Sequence, residues 1–172
     1  MKLTYECTGY HGTDIGSCEK IILTNKFIDS VDDEEWLGSG VYFFENDKKQ
    51  AIYYMSKAKK KSEYKVISCD IKSDNLLDLL DISNYENFER FAVQLKDRYK
   101  KRKDGKQRVL MNGVILNFMH KVNPYDVVRG VFDVPRRTVA PRTNIKPVQI
   151  QICVKNHDCI SNIKEESYEE LL

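Results

Sequence analysis

The chain lacks any apolar run of about 18 residues, the length a membrane-spanning helix needs. Its first residues, Met1-Lys2-Leu3-Thr4-Tyr5-Glu6-Cys7, do not form a basic stretch followed by an apolar one, so no secretory signal is expected and the protein reads as cytoplasmic, with no membrane partner. There is no internal repeat, no low-complexity segment and no C-x-x-C pair. The five cysteines, Cys7, Cys18, Cys69, Cys153 and Cys159, are odd in number and scattered, and they read as reduced thiols. Cys153, His157 and Cys159 fit no zinc-site spacing and a fourth ligand is missing, so no metal is expected. A net excess of either charge is lacking: 28 Lys and Arg against 26 Asp and Glu leave only +2.

What is present is ordinary globular composition, 41% apolar and 31% charged, on 172 residues. That length is enough for one core, and residues 1–172 are read as a single domain. Leu3 to Tyr10 reads as a strand and Gly9 to Thr13 as the turn that ends it. Asp14 can cap a helix in which Ile15, Cys18, Ile21 and Ile22 recur at helical spacing. Gly38-Ser39-Gly40 is a bend before the β-prone run Val41-Tyr42-Phe43-Phe44. Asn46 or Asp47 can cap a helix to about Lys61, and Tyr64 to Ile71 alternates as a strand. An amphipathic helix is expected from Asn84 to about Lys103, a second from Val109 to His120, and late strands at Val127 to Val134 and Pro147 to Val154. Strands at both ends with helices between them give an α+β class.

Two short motifs carry chemistry. In Tyr10-His11-Gly12-Thr13 an imidazole sits beside a glycine whose backbone a flat ligand can approach closely. In Leu37-Gly38-Ser39-Gly40-Val41-Tyr42 two glycines read as a mobile loop able to close over that ligand, leading into a strand that presents Tyr42. Each is weak alone, because a strand-end histidine and a packed tyrosine are common structural features.

Together, in order and register, the two motifs resemble the ADP-ribosyltransferase superfamily on its poly(ADP-ribose) polymerase-like or diphtheria-toxin-like side. That family has H-G-[ST] on its first core strand, G-x-G-[IV]-Y-[FL] shortly afterwards, and then a helix beginning K-S-A-N-Y. Lys49-Gln50-Ala51-Ile52-Tyr53 stands at the last place without a gap. The resemblance implies a split mixed sheet with flanking helices, and NAD⁺ as co-substrate. It implies that His11 bonds the adenosine ribose, that Gly12 pairs its backbone with the nicotinamide carboxamide, and that Tyr42 and Tyr53 sandwich the cationic nicotinamide ring. Thr13 completes the first motif, and Gln50 stands where the family has a serine on the carboxamide.

The family's third catalytic residue is a glutamate on a late strand. Here that strand is Gln149-Ile150-Gln151-Ile152-Cys153-Val154, whose alternation puts Gln149 and Gln151 on one face. Gln151 takes the glutamate's place, with Gln149 next. A glutamine can hold a ribose hydroxyl but cannot act as a base, so chain elongation is not expected. Glu45 and Asp133 are the candidates to supply a carboxylate instead. The activity implied is mono-ADP-ribosyl transfer to a macromolecule, RNA, DNA or protein, by a toxin-type effector for which an antitoxin is a partner. NAD⁺ glycohydrolysis and an inactive binding module are the alternatives. The basic stretch containing Lys100, Lys101 and Arg102 is the candidate acceptor surface for a polyanion.

Overall fold

A computed structural model describes residues 4–32, 35–96, 110–133 and 147–167. Lys100, Lys101 and Arg102 lie outside the described residues. The described chain is α+β, with four α-helices and one seven-stranded mixed sheet. The elements are β1 (Tyr5–Thr13), α1 (Ile15–Thr24), β2 (Val41–Glu45), α2 (Lys48–Tyr53), β3 (Lys65–Ser73), β4 (Leu76–Asp78), α3 (Ile82–Lys96), α4 (Asn112–Val122), β5 (Val127–Asp133), β6 (Val148–Val154) and β7 (Ile160–Glu165). The strand order is β4-β5-β6-β2-β1-β3-β7. No helix among the described residues is long and apolar enough to cross a membrane.

The caps behave as their side chains dictate. Asp14 accepts a hydrogen bond from Ser17 N–H at 2.9 Å and starts α1, and Asp47 does the same for Gln50 N–H at 3.1 Å at the head of α2. Asp81 accepts from the N–H groups of Ser83 and Asn84, so α3 begins earlier than its apolar stripe indicates. α2 does not run on to Lys61. It passes into a π-turn over Tyr54–Ala58, and Lys60 takes a left-handed φ of 53°. β4, β7 and a short 3₁₀ turn at His157–Cys159 have no strong sequence signature, and the acidic tail hides β7.

The two faces of the sheet pack differently. On one, Val41, Phe43, Ile67, Val127, Ile152 and Val154 meet Cys18 and Ile21 of α1, and Phe27. On the other there are two separate clusters. Phe44 and Val66 pack under Ala51 of α2, while Val128 and Cys153 pack under Leu95 of α3 and Ile115, Leu116 and Met119 of α4. β2 lies between these two helical layers, with Phe44 in the first cluster and Tyr42 on the border of the second.

β1 is longer than its sequence indicates. His11, Gly12 and Thr13 are not a turn; they pair with Ile67, Val66 and Lys65 of β3. A continuous partner strand extends β1 past the glycines that read as punctuation.

Candidate functional site

The site is built on a local failure of the sheet. β1 and β2 are antiparallel neighbours, but only Gly9↔Glu45 and Tyr10↔Phe44 are paired. Continuing that register would put Gly12 opposite Tyr42, and no pair forms there. Farther along, Gly40 pairs instead with Ser30, each donating its N–H to the other's carbonyl at 2.9 Å. The result is a gap in the sheet, bounded by Tyr10–Phe44 at one end and Ser30–Gly40 at the other.

Which groups point into the gap follows from strand alternation. Thr8 turns its peptide edge toward β2: its carbonyl accepts from Asn46 N–H at 2.8 Å and its N–H donates to Asn46 Oδ1 at 2.9 Å. Residues two apart share that direction, so Tyr10 and Gly12 also face β2. Gly12 therefore offers one donor and one acceptor to the gap, with no ladder partner to take them.

His11 takes the bond that Gly12 gives up. Its Nδ1 lies 2.8 Å from the carbonyl of Tyr42. A carbonyl only accepts, so Nδ1 carries the proton and Nε2 is left with its lone pair. The ring is wedged between Phe27 and Phe43, with centroids 5.4 and 5.7 Å away. Burial lowers the imidazole's affinity for a second proton, against the smaller opposite pull of the Tyr42 carbonyl, and keeps it neutral. No buried side-chain nitrogen or oxygen among the described residues lacks a partner. Nε2, which has none there, is therefore open to a ligand.

Tyr42 is fixed at both ends. Its hydroxyl accepts from Leu37 N–H at 2.8 Å and donates to the Gly38 carbonyl at 2.7 Å. Burial raises its pKa, so it stays a neutral phenol. The Leu37–Gly40 segment is not the mobile loop its glycines indicate. Asn117 of α4 accepts from Ser39 N–H at 2.8 Å, and Lys155 Nζ donates to the Ser39 carbonyl at 2.6 Å. The glycines are needed for fit. Gly38 has φ +78° and Gly40 φ +147°, and a Cβ on Gly40 would lie 2.6 Å from the Cys153 sulfur.

Gly12 is also needed for fit, though not only toward a ligand. A Cβ there would lie 2.5 Å from Met55 Cγ and 3.1 Å from the Ala51 carbonyl, so the glycine lets α2 and the π-turn settle onto β1. α2 buries Gln50 and carries Tyr53 at its end, 40% exposed. Tyr54, which the motif does not single out, has its ring 5.9 Å from Phe44 and under Lys59 Nζ at 5.4 Å.

Gln151 pairs with Phe44 on one side and Gly130 on the other, and Gln149 pairs with Phe132 of β5. Both glutamines share a sheet face with Cys153, and thus with Tyr42 and α2. Gln151 is one row from the gap and Gln149 two rows farther. Neither acidic alternative is placed to help. The Glu45 carboxylate binds Arg129 in two-point fashion, Oε2 to Nε at 2.5 Å and Oε1 to Nη2 at 2.9 Å, on the opposite face from Tyr42. Asp78 shares the same guanidinium at 3.2 Å. Asp133 is exposed at the far end of β5. Thr13 is buried at the end of β1. No cluster of metal-binding side chains occurs among the described residues, and all five cysteines are free thiols.

Sequence reasoning missed Lys155. Lys155 directly follows β6 and holds the glycine segment by its carbonyls at Leu37 and Ser39. Burial lowers its pKa. Nothing in a lone lysine after a strand marks it out.

Comparisons with known proteins leave the site's chemistry open. No family model and no solved structure matches the chain. An uncharacterised protein of Methanocaldococcus jannaschii is 27% identical over 91% of this chain and 86% of its own length.

Proposed function

We propose that this protein adopts an ADP-ribosyltransferase fold, binds NAD⁺ at the gap between β1 and β2, and transfers one ADP-ribose to a macromolecular acceptor. The observation that carries the reading is the free peptide edge of Gly12. A carboxamide needs one donor and one acceptor side by side, and an unpaired strand residue offers that pair. Three further features support it. The Nε2 lone pair of neutral His11 is suited to a ribose hydroxyl. Tyr42 is held rigid at the gap, and Tyr53 stands at the end of the helix packed on Gly12. Gln50 on that helix is the residue for the second carboxamide contact.

In the reaction, the bond from the ribose C1′ to the nicotinamide nitrogen breaks with its electron pair going to the ring. Nicotinamide leaves neutral. A nucleophile of the acceptor, nucleic acid or protein, bonds to C1′ and gives up its proton. Gln151 on the shared face binds a ribose hydroxyl without acting as base, which suits a single transfer rather than a polymer. A toxin-type effector held in check by an antitoxin is the biological setting that accords with this chemistry.

The test is incubation of the purified protein with labelled NAD⁺ and cell lysate, separated into protein and nucleic-acid fractions, beside Tyr42→Ala. Label in one fraction that disappears with the variant is the expected result and gives the acceptor class. Release of nicotinamide with no label in either fraction makes water the acceptor and the protein a glycohydrolase. NAD⁺ left intact sinks the reading of an enzyme.

A further inference from the structure

The proposed chemistry leaves one group unassigned. Charge builds at C1′ as nicotinamide leaves, and a carboxylate is the side chain suited to stabilise it. Gln149 and Gln151 have none, Glu45 is committed to Arg129, Asp133 is remote, and Asp47 is spent on capping α2.

Of the described acids in the loop that closes the gap, Asp29 and Asp32 are exposed and one, Glu35, is half-buried. Glu35 is half-buried and begins the segment that holds Tyr42. Its carbonyl accepts from Gly38 N–H at 3.3 Å, two residues from the Leu37 N–H that binds the Tyr42 hydroxyl. Its Oε1 accepts from Ser30 Oγ at 2.6 Å. Ser30 is the residue that closes the gap by pairing with Gly40. The carboxylate is thus tied to the boundary of the gap through one oxygen, and Oε2 has no partner among the described residues. The charge of Glu35 also acts on the groups around it. Burial is the main cause of the raised Tyr42 pKa and the Glu35 charge adds to it; Lys59, which stands over the Tyr54 ring, is held charged chiefly by Tyr54, with a smaller contribution from Glu35.

We propose that Glu35 is the catalytic carboxylate of this site, supplied from the loop before Gly38 instead of from the late strand. This rests on the NAD⁺ reading above. As the C1′–N bond breaks, the Glu35 carboxylate stabilises the positive charge spread over C1′ and the ring oxygen. The acceptor's nucleophile then attacks C1′, and its proton passes to Glu35 and on to water. Lys59, over the Tyr54 ring, is a cation suited to the diphosphate. Gln151 keeps a binding role.

The experiment follows nicotinamide release from NAD⁺, with water as acceptor and again with lysate added, for the wild type, Glu35→Gln, Glu35→Asp and Asp133→Asn. NAD⁺ affinity is measured separately by calorimetry. Glu35→Gln keeps the length of the side chain and an oxygen for Ser30, so its melting temperature is expected to match the wild type. Its release rate should fall about 10²–10³-fold, while NAD⁺ affinity changes less than about threefold, as for loss of an interaction made mainly in the transition state. Glu35→Asp should recover part of the rate, and Asp133→Asn should match the wild type. A wild type that releases nicotinamide beside a Glu35→Gln that releases it equally fast overturns the assignment and leaves the NAD⁺ reading standing. A wild type that leaves NAD⁺ intact overturns the NAD⁺ reading and the assignment with it. If Glu35→Gln loses rate and affinity together, Glu35 binds the ground state and the catalytic role is wrong.

Discussion

The two edges of β1 differ sharply. Toward β3 every residue from Tyr5 to Thr13 has a partner in an unbroken register. Toward β2 only two residues do, and the strand then parts from its neighbour at the residues that carry the first motif. The same strand is scaffold along one edge and, beyond Tyr10, unpaired with β2 along the other. Unpaired backbone inside a fold is costly, because a buried polar group without a partner loses roughly 1–3 kcal/mol. The gap persists because its surroundings enforce it: His11 caps the Tyr42 carbonyl, and Ser30 and Gly40 seal the far end. In the proposed reading the paired edge supplies stability and the open edge supplies the binding surface.

The largest test of that contrast is Tyr42→Ala. It removes a half-buried ring together with the hydroxyl that holds Leu37 and Gly38. A loss of about 2–4 kcal/mol is expected, below or near the range for fully buried aromatics. NAD⁺ cleavage should disappear even at temperatures where the variant remains folded. Tyr42→Phe separates the two effects: it should cost about 1 kcal/mol for the lost hydroxyl and retain most activity. A Tyr42→Ala variant that is unstable but fully active would make the residue scaffold alone.

Gly12→Ala comes next and probes the open edge directly. The new methyl group collides with Met55 and the Ala51 carbonyl and pushes β1 away from the helix, at a cost of about 1–3 kcal/mol for overpacking. The ladder to β3 should survive, as seen by slow amide exchange at Ile67 and Cys69. NAD⁺ affinity should drop at least about tenfold, the change expected when one donor–acceptor pair, worth about 1.4 kcal/mol or more, is displaced. Met55→Ala in the same chain makes room for the methyl and should restore affinity in part. No change in affinity for Gly12→Ala would place the ligand elsewhere.

A smaller effect follows from the neutral imidazole. The folded state holds His11 with a pKa below the ordinary 6.5, because burial disfavours the cation. His120 is shifted the same way, by burial and then by the charge of Lys155. For groups lowered in the folded state, the unfolded chain binds the extra proton first. Their contribution is therefore intact above about pH 6.5 and is lost as the pH falls below it. Thermal melts from about pH 8 to about pH 5 should show a decline beginning near 6.5, partly flattened by His11→Asn and partly by His120→Asn. NAD⁺ affinity should hold through the start of that decline and fall only at lower pH, where the folded protein's own His11 takes up a proton at Nε2 and can no longer accept. A flat melting profile would mean that His11 is solvated and titrates freely.

Much of the fold was legible in the sequence, for local reasons. Asp14 and Asp47 announce their helices because a cap is read within one turn. β2, β5 and β6 are β-prone apolar runs. The motif residues His11, Gly12 and Tyr42 do come together at one gap. What was not legible depends on neighbours distant in sequence. β1 continues through Gly12 because β3 lies beside it, and no local signal contains that. Gly38-Ser39-Gly40 reads as mobile, but Asn117, 78 positions later, and Lys155, 116 positions later, pin it. Glu45 and Asp133 were reasonable acids by proximity in the chain, yet strand alternation and Arg129 take Glu45 to the other face. Glu35 was passed over because it lies in a polar stretch, where an acid is normally only solvated.

The smallest effect on the folded protein, and the one that sharpens the acceptor, is charge reversal at Lys100, Lys101 and Arg102. They lie outside the described residues, so the expectation rests on electrostatics alone. Each lysine or arginine withdrawn from a phosphate lowers the salt dependence of nucleic-acid binding by about one unit of slope. If the acceptor is a nucleic acid, the triple reversal should leave nicotinamide release to water unchanged. It should reduce labelling of the nucleic-acid fraction about tenfold or more at low salt, with the difference narrowing as salt is raised. If the acceptor is a protein, labelling of the protein fraction should be unaffected. A variant that loses water-dependent release as well would show that these residues serve NAD⁺ itself, and the separation between an NAD⁺ site on the open edge of β1 and an acceptor surface elsewhere would fail.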